Sequence, residues 1–148
     1  MKIIIAGSRT FTNYTLVAVV CLKAIKHIYE HEDIWGYVFH HDITFITGGA
    51  KGADECGSRF ATEYKFKQVC VPADWEKYGK SAGILRNVEM AKLATEKRGE
   101  VNLLLAFWDG KSVGTKHMLD TAVKFNIPAY KIDTAGNISK YDNLLALA

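Results

Sequence analysis

The sequence predicts a doubly wound α/β domain, a mostly parallel sheet of about five strands with helices on both faces. Three features carry that prediction. Short β-branched runs end at glycine, proline or polar turn residues, and between them the apolar positions recur every three or four residues, as on one side of a helix. The strand runs are apolar throughout instead of at every second position, the mark of strands covered on both faces.

Lys2 to Ala6 is the first strand and ends at Gly7-Ser8. From about Tyr14, the residues Leu16, Val17, Val20, Cys21, Ala24, Ile25 and Ile28 share one helix face, with Asn13 as cap. Ile43 to Thr47 is a second strand, stopped by Gly48-Gly49, and Ala53 to about Tyr64 a helix with Ala53, Cys56, Phe60 and Ala61 inward. Lys67 to Val71 is a third strand closed by Pro72. The helix over Ser81 to Ala94 is expected to bury Ile84, Leu85, Val88, Ala91 and Leu93. Val101 to Phe107 is the strongest strand signal; Val113 to Phe125 reads as a helix, and Ile127 to Ile132 as a last strand with its proline early, where a lost donor is tolerated.

The chain has 148 residues, 49% of them hydrophobic, and shows no repeat, low-complexity tract or linker, so one domain over residues 1–148 is expected. Lys and Arg number 19 against 16 Asp and Glu, a net charge of +3 spread along the chain, too weak a bias for nucleic-acid binding on electrostatics. Apolar runs such as Leu16 to Leu22 and Leu103 to Trp108 fall far short of the ~20 residues of a membrane span. The N-terminus lacks the pattern of a secretory leader, so a cytoplasmic location is expected. Cys21, Cys56 and Cys70 are too widely spaced for a disulfide framework and read as small buried residues.

From Glu30 to Asp42 the periodicity breaks. His31, His40, His41 and Asp42 are of metal-ligating type, but no paired spacing fixes a geometry, and no metal is expected. Trp35, Tyr37 and Phe39 are candidates for a contact in a homo-oligomer, with Tyr14, Cys21 and Leu144 to Leu147 as further core or contact residues.

Right-handed crossovers bring every loop that follows a strand to one sheet edge, where doubly wound domains bind ligands. Two of these loops are glycine turns, Gly7-Ser8-Arg9-Thr10 and Gly48-Gly49-Ala50-Lys51-Gly52-Ala53-Asp54. Each lets backbone approach a ligand closely and opens a helix whose free N–H groups favour an anion. Neither is a Walker loop or a full dinucleotide fingerprint, and tight turning alone is an equal explanation for either. A third loop gathers Asp74, Trp75, Lys80, Arg86 and Asn87, and a fourth Trp108, Asp109, Ser112, Gly114 and Thr115, more chemistry than connectors need.

In order and spacing, Gly7-Ser8-Arg9-Thr10-Phe11, Thr47 to Asp54, Ala73-Asp74-Trp75 with Gly79-Lys80-x-Ala82-Gly83-x-x-Arg86-Asn87-x-x-Met90, and Trp108-Asp109-Gly110-x-Ser112-x-Gly114-Thr115 resemble the YspA-like, cpYpsA-related branch of the SLOG superfamily. The resemblance runs from Met1 to about Ile132 and implies a Rossmann-like domain binding nucleotides or nucleotide-derived molecules; no cofactor is expected. The superfamily includes the LOG phosphoribohydrolases, with a signature Pro-Gly-Gly-x-Gly-Thr-x-x-Glu; Gly114-Thr115 aligns with it, but Met118 stands at the glutamate and Asp109 where a glycine would. A thioether can neither transfer a proton nor stabilise an oxocarbenium ion by charge.

On this basis Arg9, Lys80 and Arg86 are expected to contact phosphate, and Gly7, Ser8, Gly48, Gly49, Ala50, Asn87, Ser112, Gly114 and Thr115 to line the ligand. Trp75 or Trp108 would stack on it, and Asp54 and Asp109 hold ribose hydroxyls, with Asp74 nearby. The expected function is binding of an ADP-ribose-like molecule as sensor or sequestering protein. The alternative is a nucleoside-monophosphate N-glycosidase with Asp109 or Asp54 in place of the missing glutamate.

Overall fold

Strand β1 (Lys2–Gly7) has Ile3, Ile4 and Ile5 fully buried, and a strand buried on both faces must have layers on both sides. The computed structural model describes residues 1–31 and 43–142 of the chain. After β1 come α1 (Tyr14–His31), β2 (Thr44–Thr47), α2 (Ala53–Glu63) and β3 (Lys67–Cys70). Then follow a single turn α3 (Trp75–Tyr78), a 3-10 turn (Gly79–Ser81), α4 (Ala82–Thr95), β4 (Asn102–Phe107), α5 (Val113–Lys124), β5 (Ala129–Ile132) and β6 (Ile138–Lys140). Asn13 caps α1, its Oδ1 accepting from Leu16 N at 3.2 Å.

The sheet order is β3-β2-β1-β4-β5-β6. All pairs are parallel except β5 with β6. Alternation along each strand divides the core in two. Ile3 and Ile5 join Phe45, Leu103 and Leu105 under α1 and α2, where Val17, Val20, Cys56 and Phe60 meet them. Ile4 and Ala6 join Ile46, Leu104 and Ala106 under α4 and α5, against Met90, Ala91, Met118 and Leu119. This is a Rossmann-like doubly wound fold. Its winding reverses between β1 and β4, so the loops leaving those two neighbours diverge and open a crevice at the carboxyl edge.

Several expectations change. A sixth strand, β6, adds an antiparallel edge that its short polar sequence Ile-Ser-Lys did not announce. The edge strand β3 is exposed at all four positions, and with it Cys70, so only Cys21 and Cys56 are buried. Helix α4 is rotated from the expected face: Ala91 is buried as expected and Leu93 partly so, but Ala82, Asn87, Met90 and Ala94 are buried with Ala91, whereas Ile84 and Leu85 are 51% and 45% exposed. Small residues let α4 lie close against the sheet, and the larger Ile84 and Leu85 fall outside that contact.

Cys21 lies in the core and Tyr14 packs against it, which removes Cys21 as a surface contact. Trp35, Tyr37, Phe39, His40, His41, Asp42, Leu144 to Leu147 and the side chain of His31 lie outside the described residues. Among the described residues no group of three metal-ligating side chains occurs, and no helix is long and apolar enough to cross a membrane.

Burial differences of this size separate the two kinds of apolar position. Ile4→Ala is expected to lower the unfolding free energy by about 2–5 kcal/mol, and Leu85→Ala to change it by less than about 0.5 kcal/mol, both read from urea melts.

Candidate functional site

The loops after β1 and β2, the α3–α4 segment and the first two turns of α5 enclose a cavity of about 420 Å³ at the carboxyl edge. Ser8 fixes those loops relative to one another. Its N–H donates to Phe107 O at 2.9 Å, and its carbonyl accepts from Phe11 N at 3.1 Å and Ala53 N at 3.3 Å. Its hydroxyl accepts from Asp109 N at 3.0 Å. Expected in the ligand set, Ser8 is instead 1% exposed and faces inward, because main-chain groups of three segments find their partners there. Gly7 serves the same close packing: a Cβ would stand 2.3 Å from Phe107 O and 2.6 Å from Ala53 Cβ.

Two oppositely charged groups converge behind Gly48. Arg86 Nη1 donates to Gly48 O at 2.6 Å, and Asp54 Oδ2 accepts from Ala50 N at 3.1 Å. A Cβ at Gly48 would lie 2.2 Å from Arg86 Nη1 and 2.9 Å from Asp54 Oδ2, so only glycine lets both side chains reach over this backbone. Asp54 sits in the first turn of α2, where the helix dipole favours negative charge. Burial nevertheless pushes its carboxyl up to about 6; the Ala50 N–H and the charges of Arg86 and Arg9 offset only part of that. A carboxylic acid titrating near neutrality on a cavity wall can hold or release a proton there.

The fourth loop is organised by Asp109. Its Oδ1 accepts from Lys111 N at 2.8 Å and Ser112 N at 2.9 Å, and these bonds hold its carboxyl below the usual range. Ser112 then caps α5, its Oγ accepting from Thr115 N at 3.3 Å. The first N–H groups of α5, at Val113 and Gly114, have no carbonyl within the helix to bond. Gly114 has nothing within 4 Å of a would-be Cβ; the space beside it belongs to the cavity.

Of the predicted ligand residues, Gly7, Arg9, Ala50, Asp54, Trp75, Lys80, Arg86, Asn87, Ser112, Gly114 and Thr115 line this one cavity. Arg9, Lys80 and Arg86 place three cations around it against one carboxylate, and Trp75, 49% exposed, stands at its wall beside Gly83. The others are elsewhere. Gly48 acts through Arg86, and Gly49 packs against the Cys70 sulfur, 2.7 Å from a would-be Cβ. Asp74 caps α3, accepting from Lys77 N at 3.1 Å. Trp108 packs on the core with Nε1 donating to Ser112 O at 3.0 Å, and with Asp109 it lines a separate cavity of about 290 Å³ beside Lys131 and Asp133.

Sequence reasoning missed His117. It lines the cavity beside Met118, its Nδ1 3.1 Å from Asn87 Nδ2, and burial pushes its imidazole below the usual range, with Asp120 raising and Lys124 lowering it further. The available signal was helical spacing: His117 falls three and four residues after Gly114 and Val113, on the same face.

The model of the YspA, cpYpsA-related SLOG family matches residues 1–78, more than half of the chain. The chain belongs to that family. The Gene 61 protein of Mycobacterium phage D29 is 35% identical over 132 residues, 86% of this chain and 92% of that protein. No solved structure gives a significant match. In this SLOG domain the matched residues include the loops after β1 and β2 and helix α3, while the Arg86, Asn87 and α5 wall of the cavity lies beyond them.

The position of Asp54 makes a pH prediction. Its folded-state value lies above the ordinary one, so its stabilising contribution is complete at low pH and is lost as pH rises through about 6. In thermal melts at pH 4.5, 6.0 and 7.5, Asp54→Asn should therefore gain stability over the parent progressively toward pH 7.5.

Proposed function

We propose that this SLOG domain binds a nucleotide or nucleotide-derived molecule, ADP-ribose-like in joining phosphate to ribose, in the cavity at the carboxyl edge. The observation that supports this most is the convergence of Arg9, Lys80 and Arg86 with the open N-terminus of α5 on one cavity. Guanidinium, ammonium and helix-terminal N–H groups are the donors that phosphate oxygens take. Asp54 would accept from a ribose hydroxyl, and Trp75 offers a ring face for a base. In this reading the domain holds its ligand unchanged, as a sensor or sequestering protein.

A specific observation favours a second reading, hydrolysis of an N-glycosidic bond. Asp54, buried and raised to about 6, has the titration of a general acid or base, whereas Asp109 is held ionised by its own loop and lines the other cavity. Met118 offers no charge in that role.

Incubation with a panel of nucleotides, NAD and ADP-ribose compounds, followed by mass analysis of bound and free fractions, separates the readings. Recovery of one compound unchanged supports binding; release of a free base, abolished in Asp54→Asn, supports hydrolysis, and neither retention nor turnover of any compound would remove both. Arg86→Ala is a poor probe of affinity alone, because Arg86 also holds the Gly48 carbonyl. Lys80→Ala is cleaner: affinity should fall about tenfold or more, as for loss of a hydrogen bond to a charged group, with the melting temperature unchanged. Gly114→Ala should raise helix stability by up to about 1 kcal/mol while weakening binding, since its methyl enters the cavity.

A further inference from the structure

A continuous chain of hydrogen bonds crosses the cavity wall from the β2 loop to α5. Arg86 Nη1 donates to Gly48 O at 2.6 Å and Arg86 Nε to Asn87 Oδ1 at 3.2 Å. Asn87 Nδ2 lies 3.2 Å from Gly114 O, to which it donates, and 3.1 Å from His117 Nδ1. Asn87 is 5% exposed, and both ends of its amide are determined. Reversing the amide would set its oxygen against the Gly114 carbonyl and its NH2 against the Arg86 N–H, two repulsive contacts in place of two bonds. The group facing His117 Nδ1 is therefore a donor.

The consequence for the imidazole is chemical. Nδ1 must accept, so in the neutral ring the proton sits on Nε2. With its own proton donated to His117 O at 2.7 Å, the Thr121 hydroxyl could only accept from Nδ1, and at 3.5 Å it is a weaker partner than the Asn87 NH2 at 3.1 Å. Protonating Nδ1 would oppose two N–H groups across 3.1 Å. Among the described residues nothing bonds Nε2, and His117 lines the cavity.

We infer that His117 is a specificity-determining residue of the cavity: a neutral Nε2–H donor, set by Asn87, for an uncharged acceptor on the ligand such as a base nitrogen or carbonyl. This rests on the nucleotide-binding reading of the cavity. An imidazolium would be the better partner for a second phosphate, and the Asn87 amide withholds it. The surroundings agree: Met90, Met118 and Val113 line the cavity with His117 and supply apolar contact to a ring, while the α4 cation that lines it, Arg86, is engaged with Gly48 O and Asn87 Oδ1. Burial likewise disfavours the charged imidazole, and the charges that act on it, Asp120 and Lys124, work in opposite directions.

The test has two arms. Nitrogen-15 NMR of the histidine rings reads the tautomer of unliganded protein: His117 should be neutral and protonated on Nε2 at pH 7, and Asn87→Asp, which puts an acceptor opposite Nδ1, should move the proton to Nδ1 and raise the titration midpoint. A wild-type His117 protonated on Nδ1 or charged at pH 7 would overturn the inference. Calorimetric titration then compares AMP with ribose 5-phosphate. His117→Phe should weaken AMP about tenfold, as for one lost hydrogen bond, and leave ribose 5-phosphate within about twofold. His117→Gln, which keeps an N–H near the Nε2 position, should recover most of the AMP affinity. Equal losses for both compounds, or none for AMP, would overturn the inference with the cavity reading intact; a wild-type protein that binds neither of these nor any other compound of the nucleotide panel would overturn the cavity reading, and the role of His117 with it.

Discussion

The burial of β1 on both faces is the constraint on which the rest depends. Four successive residues, Ile3 to Ala6, are buried, alternating between two cores, so the strand is central and layers must cover each side. A right-handed path that winds α1 and α2 on one face and α4 and α5 on the other meets at the β1/β4 boundary. The crevice follows from chain connectivity before any polar residue is considered. Its contents are then set by whichever residues end those strands and begin the next helices.

Around that crevice, polar groups that brace the loops and polar groups that face the cavity are interleaved. Ser8 and Asp109 brace the loops: buried Ser8 bonds main-chain groups of three segments, and half-buried Asp109 accepts from the N–H groups of its own loop. Asp54, Arg86, Asn87 and His117 form the facing set, held from behind by Gly48 O, Ala50 N and Gly114 O. Backbone groups, fixed by the sheet and helices, thus orient side chains that stand in the cavity. A partly dehydrated wall of this kind raises the Asp54 carboxyl and lowers the His117 imidazole by the same cause, since burial penalises either charge.

Much of this was legible in the order of residues. The strands β1, β2, β4 and β5 and the four long helices follow from apolar runs and helical spacing, and the parallel sheet from runs without alternation. The carboxyl-edge loops were legible because the strands β1, β2 and β4 each run straight into glycine, hydroxyl and charged residues. β6 was not, because three residues of mixed polarity carry no period, and its pairing with β5 is a non-local contact. The inward face of α4 was misjudged because Ile84 and Leu85 outweigh Ala82, Ala91 and Ala94 in hydrophobicity, while the close approach to the sheet selects for small size.

The sequence by itself determined the fold class, the edge at which the polar loops collect and most of the residues found there, because each of these is a local property of strand and helix periods. Only the tertiary structure decided which polar residues face the cavity and which face one another. Ser8, Asp74 and Asp109 have the same chemistry as Asp54 and Ser112, and like them accept from main-chain N–H groups, yet packing leaves them off the cavity wall. Whether a side chain is free for a ligand depends on the donors and acceptors brought to it from distant segments, and that is set by packing, not by spacing along the chain.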